Sequence, residues 1–456
     1  MKPLSPADQM FLWLEKRQQP MHVGGLLLFS YPEGAGPKYV TELAASLREY
    51  QQPEPPFNQR LITKFGQNFW EEDHQFDLEH HFRHEALPKP GRIRELLARV
   101  SAEHSNLMDR ERPLWEAHLI EGVRGKRFAL YTKAHHAMID GISAMRMTTR
   151  ALSTDPEERN SPPLWAMEPK HKPTGIPSPV DLIGNLANFA SGAGKQLATV
   201  PKVAREVARS ISKARQDPDY VSIFQAPQSI LNQHITGSRR FAAQSYPIER
   251  IKAIGKAMGA TLNDVVLAIC GSALRDYLIS QHALPDQPLI AMVPVSIRTD
   301  DSEGGNQVAM ILANLGTHIA DPTNRMEVIK ASVRHAKDRY ADMTPEEILN
   351  YTALMMAPAG LNMMTGLAPK WQAFNVVISN VPGPKEQLYW NGAKLDGMYP
   401  VSIPIDHIAL NITLLSYMDQ LEFGFTACRR TLPSMQRLLD YVENGIHELE
   451  IAAGLD

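Results

Sequence analysis

The sequence predicts an α/β protein built in two halves, and three observations carry that reading. Strand-like apolar runs alternate with helix-periodic segments on both sides of the middle of the chain. A stretch reading PPLWAMEPKHKPTGIPSP places six prolines between Pro162 and Pro179, which removes amide donors and breaks both helix and central strand. The length, 456 residues, exceeds one ordinary domain. The predicted divisions are an N-terminal half at 1–165, a Pro-rich and amphipathic linker at 166–230, and a C-terminal half at 231–456.

In chain order, LSPADQMFLWLE reads as the first helix, with Ser5 as N-cap, Pro6 at the first helical position and Asp8 completing a capping box. Pro3 and Pro6, with charge at Asp8, Glu15, Lys16 and Arg17, leave no apolar secretory segment. VGGLLLFSY and RFALYTKAHH read as strands. After the prolines, residues 202–215 carry five basic side chains against one acid, Glu206, with Val203, Val207 and Ile211 on one helical face. That pattern fits a linker helix packed on the body or a basic helix lying on an anionic membrane surface. TLNDVVLAICGSALRDYL is a helix with Asn263 and Asp264 near its positive end. LIAMVPVSIRT, QVAMILANLGTHI, FNVVISNVP and ALNITLLSYMDQLEFGFTA read as strands. Residues 348–369, ILNYTALMMAPAGLNMMTGLAP, contain no charge over a bilayer-compatible length, but Asn350, Pro358, Gly360 and Asn362 argue against a span. A buried helix or an apolar pocket wall fits better, and Met355, Met356, Met363 and Met364 suit variable apolar partners.

Composition excludes several functions. Forty-seven Lys+Arg against 50 Asp+Glu give a formal net charge of -3, so no global basic field points to nucleic acid. Cys270 and Cys428 are the only cysteines and no CxxC exists, which fits a reducing, cytoplasmic setting. SGAGKQ at 191–196 fails the phosphate-loop pattern because Phe189 and Gln196 stand where a glycine and a hydroxyl are needed. No GxSxG elbow is present. His74, His80, His81 and His84 place His80 and His84 on one face if the segment is helical. They lack a matched carboxylate or cysteine set, so hydrogen-bonded or solvated histidines are expected there, and no metal site is expected in the chain.

The chemistry concentrates in HHAMIDG at 135–141, which follows the strand run of Phe128, Leu130, Thr132 and Ala134 and precedes a helix-like segment. Strand ends entering helices are where α/β folds present reactive groups. Alternation sends His135 and His136 to opposite faces, so one can react while its neighbour supports it. A neutral imidazole can take a proton from an alcohol or amine as it attacks a carbonyl, typically worth ~10²–10⁴ in rate. Asp140 either orients an imidazole or pairs with an arginine to lock the turn, and Gly141 allows backbone conformations that a side chain would obstruct. Buried structural histidines are the competing reading.

HHAMIDG matches HHxxxDG, the signature of the CoA-dependent acyltransferase superfamily that includes chloramphenicol acetyltransferases and peptide-synthetase condensation domains. Together with LSPADQMFLWLE, PMHVGGLLLF, RPLWEAHLIEG, TLNDVVLAICGSALRDYL, PVSIR and NVVISNVPGP, in order through almost the whole chain, the sequence resembles the bacterial wax ester synthase/acyl-CoA:diacylglycerol acyltransferase family. The resemblance implies two chloramphenicol-acetyltransferase-like halves with a central tunnel at their interface, entered by CoA and acceptor from opposite faces. It implies transfer of a fatty acyl group from acyl-CoA, a co-substrate and not a bound cofactor, to a long-chain alcohol or to diacylglycerol. His136 carries over as general base, His135 as support, Asp140 as structural anchor and Gly141 as part of the turn. Arg298 in PVSIR is the candidate partner of Asp140 by analogy. Asn263 is a candidate acceptor or oxyanion contact, with helix capping as its alternative role. Pro113, Leu114 and Trp115 are expected to shape structure, Ser379 and Asn380 to line the channel or form a turn, and Ala357, Ala359 and Gly360 to form the chain pocket. Peripheral contact with a membrane or lipid droplet is a further expectation. The alternatives are an amide-forming condensation-type acyltransferase and a non-catalytic lipid-binding protein.

Overall fold

The computed structural model describes residues 2–167, 212, 220–222, 225–297, 307–341, 343–344, 347–348, 350–352, 354–355 and 372–455. Two six-stranded sheets dominate it. The first contains β2 (His22–Ser30), β5 (Phe82–Ala86), β6 (Trp115–Val123), β7 (Arg127–His135), β12 (Tyr389–Trp390) and β13 (Ala393–Val401), in the order β12-β13-β2-β7-β6-β5. The second contains β8 (Arg239–Pro247), β9 (Ile290–Ile297), β10 (Gln307–Asn314), β11 (Val376–Val381), β14 (Leu410–Tyr417) and β15 (Gln420–Cys428), in the order β10-β9-β11-β14-β15-β8. A small third sheet joins β1 (Lys2–Pro3), β3 (Gln59–Lys64) and β4 (Gln67–Glu72).

The expected α/β class holds, with a sheet for each half, but sheet membership crosses the division drawn from the prolines. β13 runs antiparallel to β2, with Lys394 opposite Ser30 and Val401 opposite Gly24, so the late part of the chain completes the first sheet. No proline or glycine marks such an exchange, because it is a contact between segments more than 360 residues apart.

β2 shows why LLLF reads as one apolar run. Leu27 and Phe29 face one core, where Val40, Leu43 and Leu47 of α2 (Tyr39–Leu47) pack. Leu26 and Leu28 face another, with Leu96 and Val100 of α3 (Ile93–Glu103) and with Phe241 and Val401. A strand covered on both faces needs no polar side. The sheets meet closely at Gly424 of β15, where an added Cβ would collide with the Pro400 carbonyl oxygen of β13. Only glycine allows the two backbones to approach there.

In the second half α6 (Leu262–Ser280) follows α5 (Ile248–Met258), and Val265 to Leu274 are buried all round, as a central core helix requires. Thr261 is its N-cap, and Asp264 returns the capping box. α7 (Pro322–Ala341) and α8 (Leu438–Ala452) share the same core, which includes both cysteines as buried thiols. No single described helix is long and apolar enough to cross a membrane.

Glu422 of β15 is fully buried beside Ser245 and Tyr399. Burial pushes its carboxyl up to about 7, against the hydrogen bonds from Ser245 and Tyr399 that favour the charge. Its folded value lies above the ordinary 4.5, so its contribution to stability is complete below pH 4.5 and is lost as pH rises to about 7. Glu422→Gln is therefore expected to flatten the fall in stability over that window and to be the more stable protein at pH 8, by at most about 3 kcal/mol. Urea unfolding of both proteins between pH 5 and 9 checks this; parallel pH profiles would count against it.

Candidate active site

α1 (Pro6–Leu14) opens as the sequence predicts, with Ser5 accepting from the Asp8 N–H at 3.1 Å. Its partner is the end of β7. His135 lies opposite His22 of β2, and the ladder extends one step further because the His136 N–H donates to the Met21 carbonyl at 2.8 Å. The His135 N–H donates to the Leu114 carbonyl at 2.9 Å, which gives RPLW its role of gripping the strand end. The His135 carbonyl then accepts from Met138 and Ile139 at 2.8 and 3.2 Å, turning the chain towards α4 (Gly141–Arg150).

The two histidines part as alternation predicts, yet both meet α1. The His136 ring stacks on Phe11, with centroids 4.2 Å apart and planes at 20°. His135 is fully buried, with Nε2 3.3 Å from Glu15 Oε2, an electrostatic contact short of a well-aligned hydrogen bond. Phe11 and Glu15 are four residues apart, so a single face of the helix end meets both rings. The Ala137 N–H donates to His135 Nδ1 at 3.1 Å, which assigns the ring proton to Nε2, facing Glu15. Burial holds this imidazole below its ordinary range, opposed by Glu15. Burial also works against the Glu15 charge, but His135, the Met21 N–H and Arg110 outweigh it and hold the carboxyl at about 2. Arg110 reaches Glu15 Oε1 through Nε at 3.0 Å and Nη2 at 2.9 Å. His135 is thus a neutral brace with both nitrogens engaged.

His136 lines a cavity of about 370 Å³ between the two sheets. Leu27, Phe57, Trp115 and Leu130 form walls from the first half, and Met292, Val377 and Ile403 from the second. The volume is that of a small-molecule site, and its apolar character suits hydrocarbon. Three charged residues border the cavity, Glu116, Lys133 and Arg146; Glu116 and Lys133 pair with each other at 3.2 Å, while Lys133 also donates to the Glu103 carbonyl at 3.0 Å. An interior charge neutralised in this way costs less in apolar surroundings than one left alone. Ser379 and Asn380, at the end of β11, line the cavity instead of forming a turn.

Asp140 accepts from the Ser143 N–H at 2.8 Å and from Ser143 Oγ at 2.7 Å, so it caps α4 and braces the turn. The expectation for Gly141 needs correction. Its φ lies outside the left-handed region, and an added Cβ would meet nothing within 4 Å. Gly141 borders the cavity, so the missing side chain leaves room there and does not relieve the backbone. Gly141→Ala is expected to leave stability unchanged or raise it by up to about 1 kcal/mol while lowering kcat/KM. Thermal unfolding with steady-state kinetics checks this; a destabilised protein would restore the backbone explanation.

Asn263 sits half-buried in the first turn of α6, apart from the cavity-lining residues, and the cap there is Thr261. Arg298, Ala357, Ala359, Gly360, Met356, Met363 and Met364 lie outside the described residues, as does 202–215 apart from Ser212. Within the 348–369 segment, Ile348, Tyr351 and Met355 are buried. The early histidines do not share a helical face: Leu78–His80 is a single 3-10 turn and His84 belongs to β5. His80 lies 3.5 Å from Asp77, His84 3.5 Å from Glu121, and His81 is stacked between Phe76 and Trp115. Glu15, Phe11 and Arg110 are the site residues that sequence reasoning missed. The one local signal was an acid closing an otherwise apolar helix, FLWLE.

Comparison with known proteins places this geometry in a family. The chain matches the family profiles described as wax ester synthase/diacylglycerol acyltransferase catalytic domain over residues 4–266 and WS/DGAT C-terminal domain over 304–450. It is 52% identical over 452 residues to O-acyltransferase WSD of Acinetobacter baylyi, covering 99% of this chain and 97% of that protein. The solved wax ester synthase/diacylglycerol acyltransferase of Marinobacter aquaeolei VT8 superposes with a TM-score of 0.83 at 55% identity, over 100% of both chains. The first condensation domain of the CDA synthetase shares the fold, with a TM-score of 0.58 at 15% identity over 99% of this chain and 96% of that one.

Proposed function

Because the chain belongs to the wax ester synthase/diacylglycerol acyltransferase family, we propose that it transfers a fatty acyl group from acyl-CoA to a long-chain alcohol or to diacylglycerol, with His136 as general base. One observation carries the assignment of the base: His136 faces an apolar cavity between the sheets while its neighbour is locked against Glu15. The imidazole takes the proton of the acceptor hydroxyl as its oxygen attacks the thioester carbonyl carbon. The tetrahedral intermediate then collapses, the C–S bond breaks, and the CoA sulfur leaves with the proton that His136 returns. Acyl passes directly from sulfur to oxygen without an acyl-enzyme. The Phe11 stack fixes the ring plane, and Asp140, through its cap of α4, fixes the turn that follows.

The chain pocket is assigned to Ala357, Ala359 and Gly360, on the support of the uncharged, methionine-rich segment around them. Bulky substitutions there are expected to shift alcohol chain-length preference, and unchanged selectivity across a series of C10 to C18 alcohols would withdraw the assignment. Arg298 is assigned as the partner of Asp140, whereas Asn263, apart from the cavity lining, is assigned to the first turn of α6 and not to acceptor or oxyanion contact. Water-insoluble products favour work at a membrane or lipid-inclusion surface, with the basic 202–215 segment as the contact.

The deciding experiment incubates purified protein with palmitoyl-CoA and with hexadecanol, diacylglycerol or both, following free thiol and lipid product. Thiol release matched by ester supports the proposal, and the competition ranks the acceptors. Thiol release without ester, or none with either acceptor, defeats it.

A further inference from the structure

Away from the cavity, the turn between β13 and β14 brings together three side chains that acyl transfer does not use. His234, Asp406 and His407 place one ligand-capable atom each within 4.8 Å of one another. His234 Nδ1 is 3.0 Å from Asp406 Oδ2, and His407 Nε2 is 3.8 Å from the same oxygen. Ligand atoms around a tetrahedral zinc ion lie about 3.3 Å apart, so these spacings bracket the metal geometry and need only small side-chain rotations to reach it.

The setting of His407 points beyond a surface ion pair. Its Nδ1 lies 3.2 Å from the Asn232 carbonyl, which can only accept, so Nδ1 carries a proton and Nε2 is the nitrogen left to offer a lone pair to a metal. Nε2 is buried without a hydrogen-bond partner among the described residues. It faces the Asp406 carboxylate oxygen at 3.8 Å, and a cation held between the two satisfies both the nitrogen lone pair and the carboxylate. A ring N–H held by a backbone carbonyl is also the arrangement that orients a metal-binding imidazole. His407 keeps this pose at φ +63°, in the left-handed region, where a side chain costs free energy that glycine would not. The third group, His234, is largely exposed and leaves the cluster open on the solvent side.

We propose that His234, Asp406 and His407 form a binding site for a divalent transition metal of the zinc class, with His407 Nε2, Asp406 Oδ2 and one nitrogen of His234 as ligands. The remaining position faces a surface cavity that also carries Arg17 and Arg430, so the fourth ligand is water or a small anion. The same turn supplies Ile403, Ile405 and Ile408 to the acyl-transfer cavity, and the Asp406 N–H donates to Gln19 Oε1 at 2.7 Å. Metal would thereby tie the cavity wall to the segment that follows α1. The site is independent of the proposed acyl transfer.

The full-length protein, stripped with chelator and freed of it, is titrated with zinc chloride by calorimetry and followed by thermal unfolding. One equivalent is expected to bind and to raise the unfolding midpoint. His407→Gly relieves the positive φ and so folds, and His234→Ala changes an exposed ring; both are expected to bind zinc about tenfold more weakly or worse, with the thermal shift lost. Wild-type protein that binds no zinc, or binds it no better than His407→Gly, would overturn the proposal and leave the cluster as an ion pair with a protonated His407.

Discussion

Replacing His136 by alanine is expected to lower ester formation by ~10²–10⁴ while the protein stays folded. The ring lies in a cavity wall, and its loss removes one stack on Phe11, a contribution of about 0.5–1.5 kcal/mol. Single-turnover measurement of CoA release, alongside circular dichroism and the unfolding midpoint, separates chemistry from folding. Thioester binding should survive, since the apolar walls remain. A folded His136→Ala protein with undiminished turnover would return the field to a binding-only protein.

The second large effect belongs to Glu15, a residue that touches no reacting atom. Glu15→Ala is expected to cost about 3 kcal/mol of stability, because it strips a 5% exposed carboxylate from His135, the Met21 N–H and Arg110. Turnover should fall as well, through the loosened end of β7 and without loss of the base itself. The pH dependence supplies a signature. The folded Glu15 carboxyl, at about 2, is held below its ordinary 4.5, so its contribution is full above pH 4.5 and disappears as pH falls towards 2. The stability gap between wild type and Glu15→Ala, from urea unfolding, should therefore close across that acidic window. A gap that stays constant down to pH 2.5 would point to lost packing instead of lost charge.

The parts of this molecule that could be read from the chain are those written in short-range chemistry. The apolar runs in VGGLLLFSY and RFALYTKAHH located two central strands, and the side-chain period of the second also separated His135 from His136, since side-chain direction in a strand repeats every second residue. The Ser5 cap followed from a bond that closes within three residues, whereas in the second half the capping side chain is Thr261 and not Asn263. Failures came where a partner lies far along the chain. Glu15 meets His135 across 120 residues, and β13 meets β2 across more than 360, and no local pattern encodes either choice. Gly141 misled for another reason. Glycine in a turn suggests a positive φ, whereas here the useful property is empty space, which becomes visible only with the cavity around it.

The insertion of β13 beside β2 has a consequence for how the protein is made. During synthesis β2 emerges with β7 available on one side, but the strand for its other edge is not complete until residue 401. At 5–20 residues per second the interval from Ser30 to Val401 is roughly 20–75 s. For that time a nascent chain exposes the unpaired edge of HVGGLLLFS, a ready template for a neighbouring chain on the same message. The first half therefore emerges from the ribosome unable to complete its sheet, and the yield of native enzyme is expected to depend on what shields that edge until the last quarter of the chain arrives.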